Sequence, residues 1–369
     1  MFNDNALQEN QIQILQKGVA TTLAAYNQGI CQVTHNNIEG PPVSLIDSQF
    51  LQEQSTIGHS AFFILATLGI ENDSSSTVDN SRLQTGNDGV VDSFVRGILS
   101  MQRPKDGAFA IRFPKQLDSI QDQRNDAPPD DDSNVYNGIE FFPGEAMVAL
   151  MEAYGMEDNV HSRIVLDEST RQAILPAMMR AFDFYSNHYY QGNVDANYPI
   201  WQVQAFSRLY LAISQHHQHE ERLLDGTKQV GTYVLDLCQD IVNSRAWKEM
   251  KRGSPFYPNL QTLEISCGLD ALAIGMRVAS HLLMDEVEID SSRSSRDLGD
   301  TKELFWYHSK NAITYLKYMQ DLVPQGNVGH GGLGFGGLQV IEQRLDVAGH
   351  TLSALIKLHE DNSSVTGHV

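Results

Sequence analysis

With 369 residues, 41% hydrophobic and 20% charged, the chain can bury a full core and is long enough for two ordinary domains or one closed helical ring. Its 46 acidic residues against 26 basic ones give a net charge of −20, and with no Lys/Arg cluster this argues against a nucleic-acid partner. No apolar run of about 18 residues suggests a membrane partner, and the segment from Met1 to Gln16 lacks the basic and apolar parts of a secretory signal.

The expected elements are mainly helices. Leu7 to Tyr26 carries Ile12, Leu15, Val19, Leu23 and Tyr26 at spacings of three and four, which predicts a first helix. A second is expected from Ser55 to Leu68, stopped at Gly69. Residues 71–89 are rich in Ser, Asn, Asp and Thr and read as a mobile loop. Val90 to Met101 is the third helix, followed by an Asp106-Gly107 turn and a short strand-like segment, Ala108 to Phe113, suited to one small β-hairpin. Residues 115–135, with Asp130-Asp131-Asp132 after two prolines, read as a second mobile loop, either a lid or a disordered excursion. Pro143-Gly144-Glu145 opens a helix running to Tyr154. Further helices are expected over Glu168 to Tyr190, from Pro199 through Ile213, and over Val230 to Val242 and Thr262 to Leu283. A third polar loop spans 288–302, and helices over Glu303 to Met319 and Val347 to His359 complete the set.

Two junctions share a pattern. A helix ending in Met-Gln, at Gln102 and again at Gln320, runs into a turn of glycine and an aromatic residue, Asp106-Gly107-Ala108-Phe109 and Gly331-Gly332-Leu333-Gly334-Phe335. Helical hairpins repeated around one centre would make an all-α toroid with a central funnel. The intervals between helix starts vary, which favours a closed ring over a regular solenoid. No composition break divides the chain, so residues 1–369 are expected to form a single domain.

Three scattered cysteines, Cys31, Cys238 and Cys267, fit a reducing, cytoplasmic setting. Cys267 reads first as a small buried apolar residue and second as a catalytic thiol.

Several short motifs are similar to those of the six-hairpin (α/α)6 toroids. Phe142-Pro143-Gly144-Glu145-Ala146-Met147 resembles the opening of one of their helices. Ala177 to Tyr185 matches an Ala/Phe-rich face, and Tyr198-Pro199-Ile200-Trp201 matches a later helix start. Arg344-Leu345-Asp346, with His350 and Ser353-Ala354-Leu355, resembles a terminal helix. The likeness covers most of Tyr136 to Leu358 and implies a sugar-handling toroid akin to uronyl epimerases and related glycosidases and lyases. Toroid terpene cyclases share the Gln102 to Phe109 hairpin but need an acidic proton donor, and Asp130-Asp131-Asp132 is the only run available. Lanthionine cyclases hold zinc with two Cys and a His, but His330 has no adjacent Cys.

Acid-base chemistry on a sugar needs two ionisable groups facing the ring. Asp346 and His350 are four apart, so a helix would put them on one face, the aspartate orienting the imidazole. Arg344 would grip a carboxylate. Glu145 is a second catalytic candidate, or a first-turn acid favoured by the helix dipole. Glu264 and Asp270 flank Cys267 at a spacing of six, which does not share a face; Glu264 is taken as catalytic and Asp270 as substrate-binding. Tyr198 and Trp201 would stack on a ring, unless they simply pack in the core, and His330 would approach through its glycines. The tract around His216, His217, His219, Glu220 and Glu221 reads as a solvated turn, and neither a metal nor a cofactor is called for.

The expectation is therefore a carbohydrate-active enzyme, an epimerase, hydrolase or lyase working on a sugar or uronate. The alternatives are a non-catalytic toroid that scaffolds a partner and a terpenoid cyclase-like enzyme.

Overall fold

The structure, a computed structural model, describes residues 20, 24, 43–46, 56–72, 89–112, 133–136, 138–155, 166–192, 194, 198–216, 221–250, 262–287, 294–321 and 350–359. Helix accounts for 85% of the interpretable part and no strand is present there, so the class is all-α. The chain divides into two compact units, Met1–Asn193 and Val194–Val369.

The first unit contains α1 (Ile57–Asn72), α2 (Val90–Ser100), a short turn of helix α3 (Ser133–Tyr136), α4 (Phe142–Gly155) and α5 (Glu168–Tyr190). Helix α4 packs along α1, and α2 touches α1, α4 and α5. Pro143 to Met151 are all buried, as expected of a helix that is apolar nearly all round. Helix α5 begins where the sequence indicates: Asp167 has extended backbone, and its carboxylate accepts from the Ser169 amide at 2.9 Å.

The turn after α2 is held from within. Arg103 pairs with Asp106, and Gly107 takes a φ of +81°, a conformation natural to glycine. The Gln102 amide donates to the carbonyls of Gly107 (2.9 Å) and Ala177 (2.8 Å) and accepts from Arg180 at 2.7 Å. One side chain thus ties the turn to α5.

The expected β-hairpin does not form among the described residues. Ala108, Phe109, Ala110 and Ile111 are all fully buried, so the segment lacks the in-and-out alternation of a half-solvated strand. It makes isolated bridges instead, Phe109 with Gln102 and Arg112 with Thr56, stitching the end of α2 to the start of α1. Phe113 lies outside the described residues.

The second unit contains α6 (Tyr198–His216), α7 (Glu221–Asn243), α8 (Arg245–Met250), α9 (Thr262–Val287), α10 (Ser294–Asp321) and a helix over 350–359, α11. Helix α9 is its axis, packing on α6, α7 and α10. By length and composition the stretch Thr262–Met284 is apolar enough to cross a bilayer, although charged residues interrupt it, and 72% of its most apolar window is buried inside the protein, as in a core helix. Two helices start earlier than expected. Helix α7 begins at Glu221 rather than Val230, and α10 at Ser294 rather than Glu303, so helix occupies part of the expected 288–302 loop. In both, a polar opening turn without apolar periodicity hid the start. Helix α3 likewise takes 133–135 from the expected second loop. The first expected helix, Leu7 to Tyr26, lies outside the described residues apart from two helical positions, 20 and 24.

Candidate functional site

Helix α9 carries Cys267 and Asp270 three residues apart, a spacing that sets both side chains on one face. Helix α11 supplies His350 and Lys357, seven residues apart and so on one side of it. The Asp270 carboxylate joins the two helices. His350 Nδ1 lies 3.2 Å from Asp270 Oδ2, and Lys357 Nζ donates to Oδ1 at 2.6 Å. An ionised carboxylate only accepts, so His350 presents its Nδ1 proton to Asp270. The guanidinium of Arg277, farther along α9, donates to the Lys357 carbonyl at 3.4 Å, so α11 runs along α9 in the same sense.

The electrostatics are strongly biased. Burial pushes the Asp270 carboxyl upward, but the hydrogen bond from His350 and the charge and hydrogen bond of Lys357 more than reverse this and hold it at about 2. Burial also opposes charge on His350. Hydrogen bonds to Asp270 and Cys267, and attraction by both, outweigh it and raise the imidazole to about 10. His350 is therefore an imidazolium across the neutral range. Its side chain keeps 21% exposure, against 6% for Asp270, so the cluster reaches outward through the imidazole.

Trp201 of α6 completes the group. Its ring meets the His350 ring at 5.6 Å between centroids and 74° between planes, an edge-to-face contact, and it is half-buried. Tyr198, one turn earlier, is fully buried with its hydroxyl 3.5 Å from that of Tyr233. Burial pushes its phenol upward. Tyr198 thus packs in the core, where its ring has no open face for a ligand.

Among the sequence candidates, the structure brings together His350, Asp270 and Trp201. Asp270 is the partner of His350, a role the sequence reading gave to Asp346. Asp346, Arg344 and His330 lie outside the described residues. Glu264 is half-buried in the first turn of α9, three residues before Cys267. Glu145 belongs to the other unit, buried in the first turn of α4, where its carboxyl lies so close to Gly58 that a Cβ there would strike it. Its position at a helix start fits the dipole reading. Lys357 is not among the residues the sequence singled out, and its signal is the spacing of seven from His350. Cys267 is buried, as its apolar neighbours suggest. Among the described residues no group of three or more His, Cys, Asp or Glu could hold a metal ion.

No family model, no curated protein and no solved structure matches this chain.

Proposed function

We propose that the chain is an acid-base enzyme acting on a sugar or uronate, built on an α/α toroid whose helical hairpins close into a ring. The observation that carries this reading is the imidazole of His350 fixed by Asp270 at 3.2 Å beside the half-buried Trp201. A protonated imidazole held in one orientation is equipped to act as a general acid, delivering a proton to a leaving oxygen as its bond to carbon breaks. Asp270 orients the ring and sustains its charge, and Lys357 pins the second oxygen of the carboxylate. Trp201 offers an apolar edge beside the acid for a sugar ring. The opposing base would come from Asp346 or Glu264, and Arg344 would hold a uronate carboxylate.

General-acid chemistry of this kind suits hydrolysis and elimination, in both of which an alkoxide must leave. The test is product analysis on a panel of neutral and uronate-containing oligosaccharides. Hydrolysis adds one water to the mass, elimination gives an unsaturated product absorbing in the ultraviolet, and epimerisation changes neither. His350→Gln should abolish the turnover with the helical content intact. Turnover that persists in His350→Gln, or a complete absence of reaction across the panel together with tight binding of a partner protein, would replace this reading with the scaffold.

A further inference from the structure

We propose that Gln204 and Ser207 of α6 form a subsite beside Trp201 that takes the carboxylate of an anionic sugar, so that the substrate is a uronate rather than a neutral sugar. This assignment rests on the acid-base reading of His350 and deepens it, giving the substrate's charge a holder on α6 besides Arg344.

Helical spacing brings the groups to one side. Trp201, Gln204 and Arg208 recur at intervals of three and four, so they lie within roughly 60° of one another around α6. Ser207 lies one step further round, next to Gln204. This is the side on which the Trp201 ring meets His350. Gln204 stands one turn from Trp201, roughly 4.5 Å along the axis, within the span of one sugar ring.

The hydrogen bonds decide what the subsite can hold. Arg208 Nη1 donates to the Gln204 carbonyl at 2.8 Å and to its Oε1 at 2.9 Å. A guanidinium only donates, so the amide oxygen is turned to Arg208 and the amide nitrogen away from it. Gln204 is 3% exposed, and that nitrogen has no hydrogen-bond partner among the described residues. Ser207 is fully buried, and its hydroxyl is without a partner there as well. A serine within a helix commonly returns its hydroxyl to a carbonyl of the preceding turn, as Ser214 of α6 does to Leu211 at 3.0 Å. Ser207 does not. Buried polar groups are nearly always partnered, so two neighbouring donors left open on one helix side call for an acceptor from outside the chain. A carboxylate offers two oxygens to an N–H and an O–H, with the Arg208 guanidinium behind the amide to favour negative charge. Trp201 and Arg208 flank the pair and are only half-buried, which leaves a way in.

Gln202 supplies the internal contrast. Its amide is also buried without a partner, but it lies about 160° round the helix from Gln204. It falls in register with Tyr198 and Phe206, both of which meet Tyr233 of α7. That side of α6 is core, and Gln202 has no part in the subsite.

The experiment titrates the full chain with sodium glucuronate and with glucose, single rings that differ in the carboxylate, and reads binding by calorimetry. Glucuronate should bind at least tenfold more tightly than glucose. Gln204→Leu and Ser207→Ala should each weaken glucuronate binding about ten- to a hundredfold, the scale of a hydrogen bond to a charged group. Gln204→Glu keeps the length and the acceptor facing Arg208 but sets a second negative charge at the subsite, and should abolish glucuronate binding. Gln202→Met should leave it unchanged. Equal affinity for the two sugars, or no glucuronate binding by the parent, overturns the proposal without any variant. Unchanged affinity in Gln204→Leu and Ser207→Ala, with a raised Tm, overturns it too, since the two groups would then be mere packing defects. Binding is read without turnover, so the two readings fail separately. His350-dependent cleavage of neutral oligosaccharides with no preference for glucuronate overturns this subsite alone. Gln204-dependent glucuronate binding, with turnover that survives His350→Gln, overturns the acid-base reading alone.

Discussion

Replacing Asp270 with Asn tests the centre of the second unit most directly. The variant keeps the volume but removes the negative charge that both His350 and Lys357 face. With the carboxylate gone, burial opposes charge against the influence of Cys267 alone, so the imidazole should fall from about 10 towards its ordinary 6.5. Removing one partner of a buried pair costs about 3–5 kcal/mol, and the partial exposure of His350 places the expectation near the lower figure. For a body of this size, about 3 kcal/mol corresponds to a fall in Tm of roughly 6–12 °C. The signs fix the pH dependence. The raised imidazole contributes fully below pH 6.5, and that contribution is lost as pH rises through about 10. The depressed carboxyl contributes above pH 3.8 and loses its contribution as pH falls through about 2. The gap in stability between the parent and the variant should therefore be widest between pH 3.8 and 6.5. NMR titration of the His350 ring protons gives the first number and thermal unfolding across pH the second. A parent imidazole titrating near 6.5, or a gap that does not narrow towards pH 10, would refute the reasoning.

Three further substitutions probe packing and polar satisfaction. In Gly275→Ala the new Cβ would collide with the Cys238 sulfur, and overpacking of about 1–3 kcal/mol should exceed the helix-propensity gain of about 1 kcal/mol. In a Cys238→Ala background the sign should reverse, as read by urea unfolding. Gln202 is fully buried, and neither end of its amide has a hydrogen-bond partner among the described residues. Gln202→Met should raise stability by about 1 kcal/mol, and a lower melting temperature would count against that account. Gln102→Ala removes three hydrogen bonds at the turn after α2 and should cost about 2–4 kcal/mol. Hydrogen exchange over residues 101–111 should accelerate correspondingly.

The sequence carried most of the helical content, because apolar spacing and end signals act locally. The Glu168 to Tyr190 helix was fully legible: Asp167 caps it and its buried residues recur along one face, and Pro176 does not end it. Helices α7 and α10 start before the point where apolar periodicity begins, because their opening turns are polar. The hairpin expectation at residues 108–111 is met only by a single antiparallel bridge, Phe109 with Gln102, flanked by the Arg103–Ala108 and Ala110–Met101 backbone bonds, and no strand extends it among the described residues. The site was half legible. His350, Asp270 and Trp201 are picked out by the sequence, which pairs His350 with Asp346, a residue outside the described ones. The contact with Asp270 spans 80 residues, and no local spacing encodes a contact of that range. Cys267 reads as a small buried residue because its neighbours are apolar, and it is one.

The arrangement of α9 has a consequence for synthesis. Asp270 leaves the ribosome inside a stretch whose composition suits a bilayer, while His350 and Lys357 follow 80 and 87 residues later. At about 5–20 residues per second, the nascent carboxylate waits for several seconds or more before its cations arrive. During that interval it adds to the cost of membrane insertion, by about 2.5–3.5 kcal/mol for a charge at the centre of a spanning helix. The residue that anchors the imidazole thus also raises the cost of placing its own helix in a bilayer.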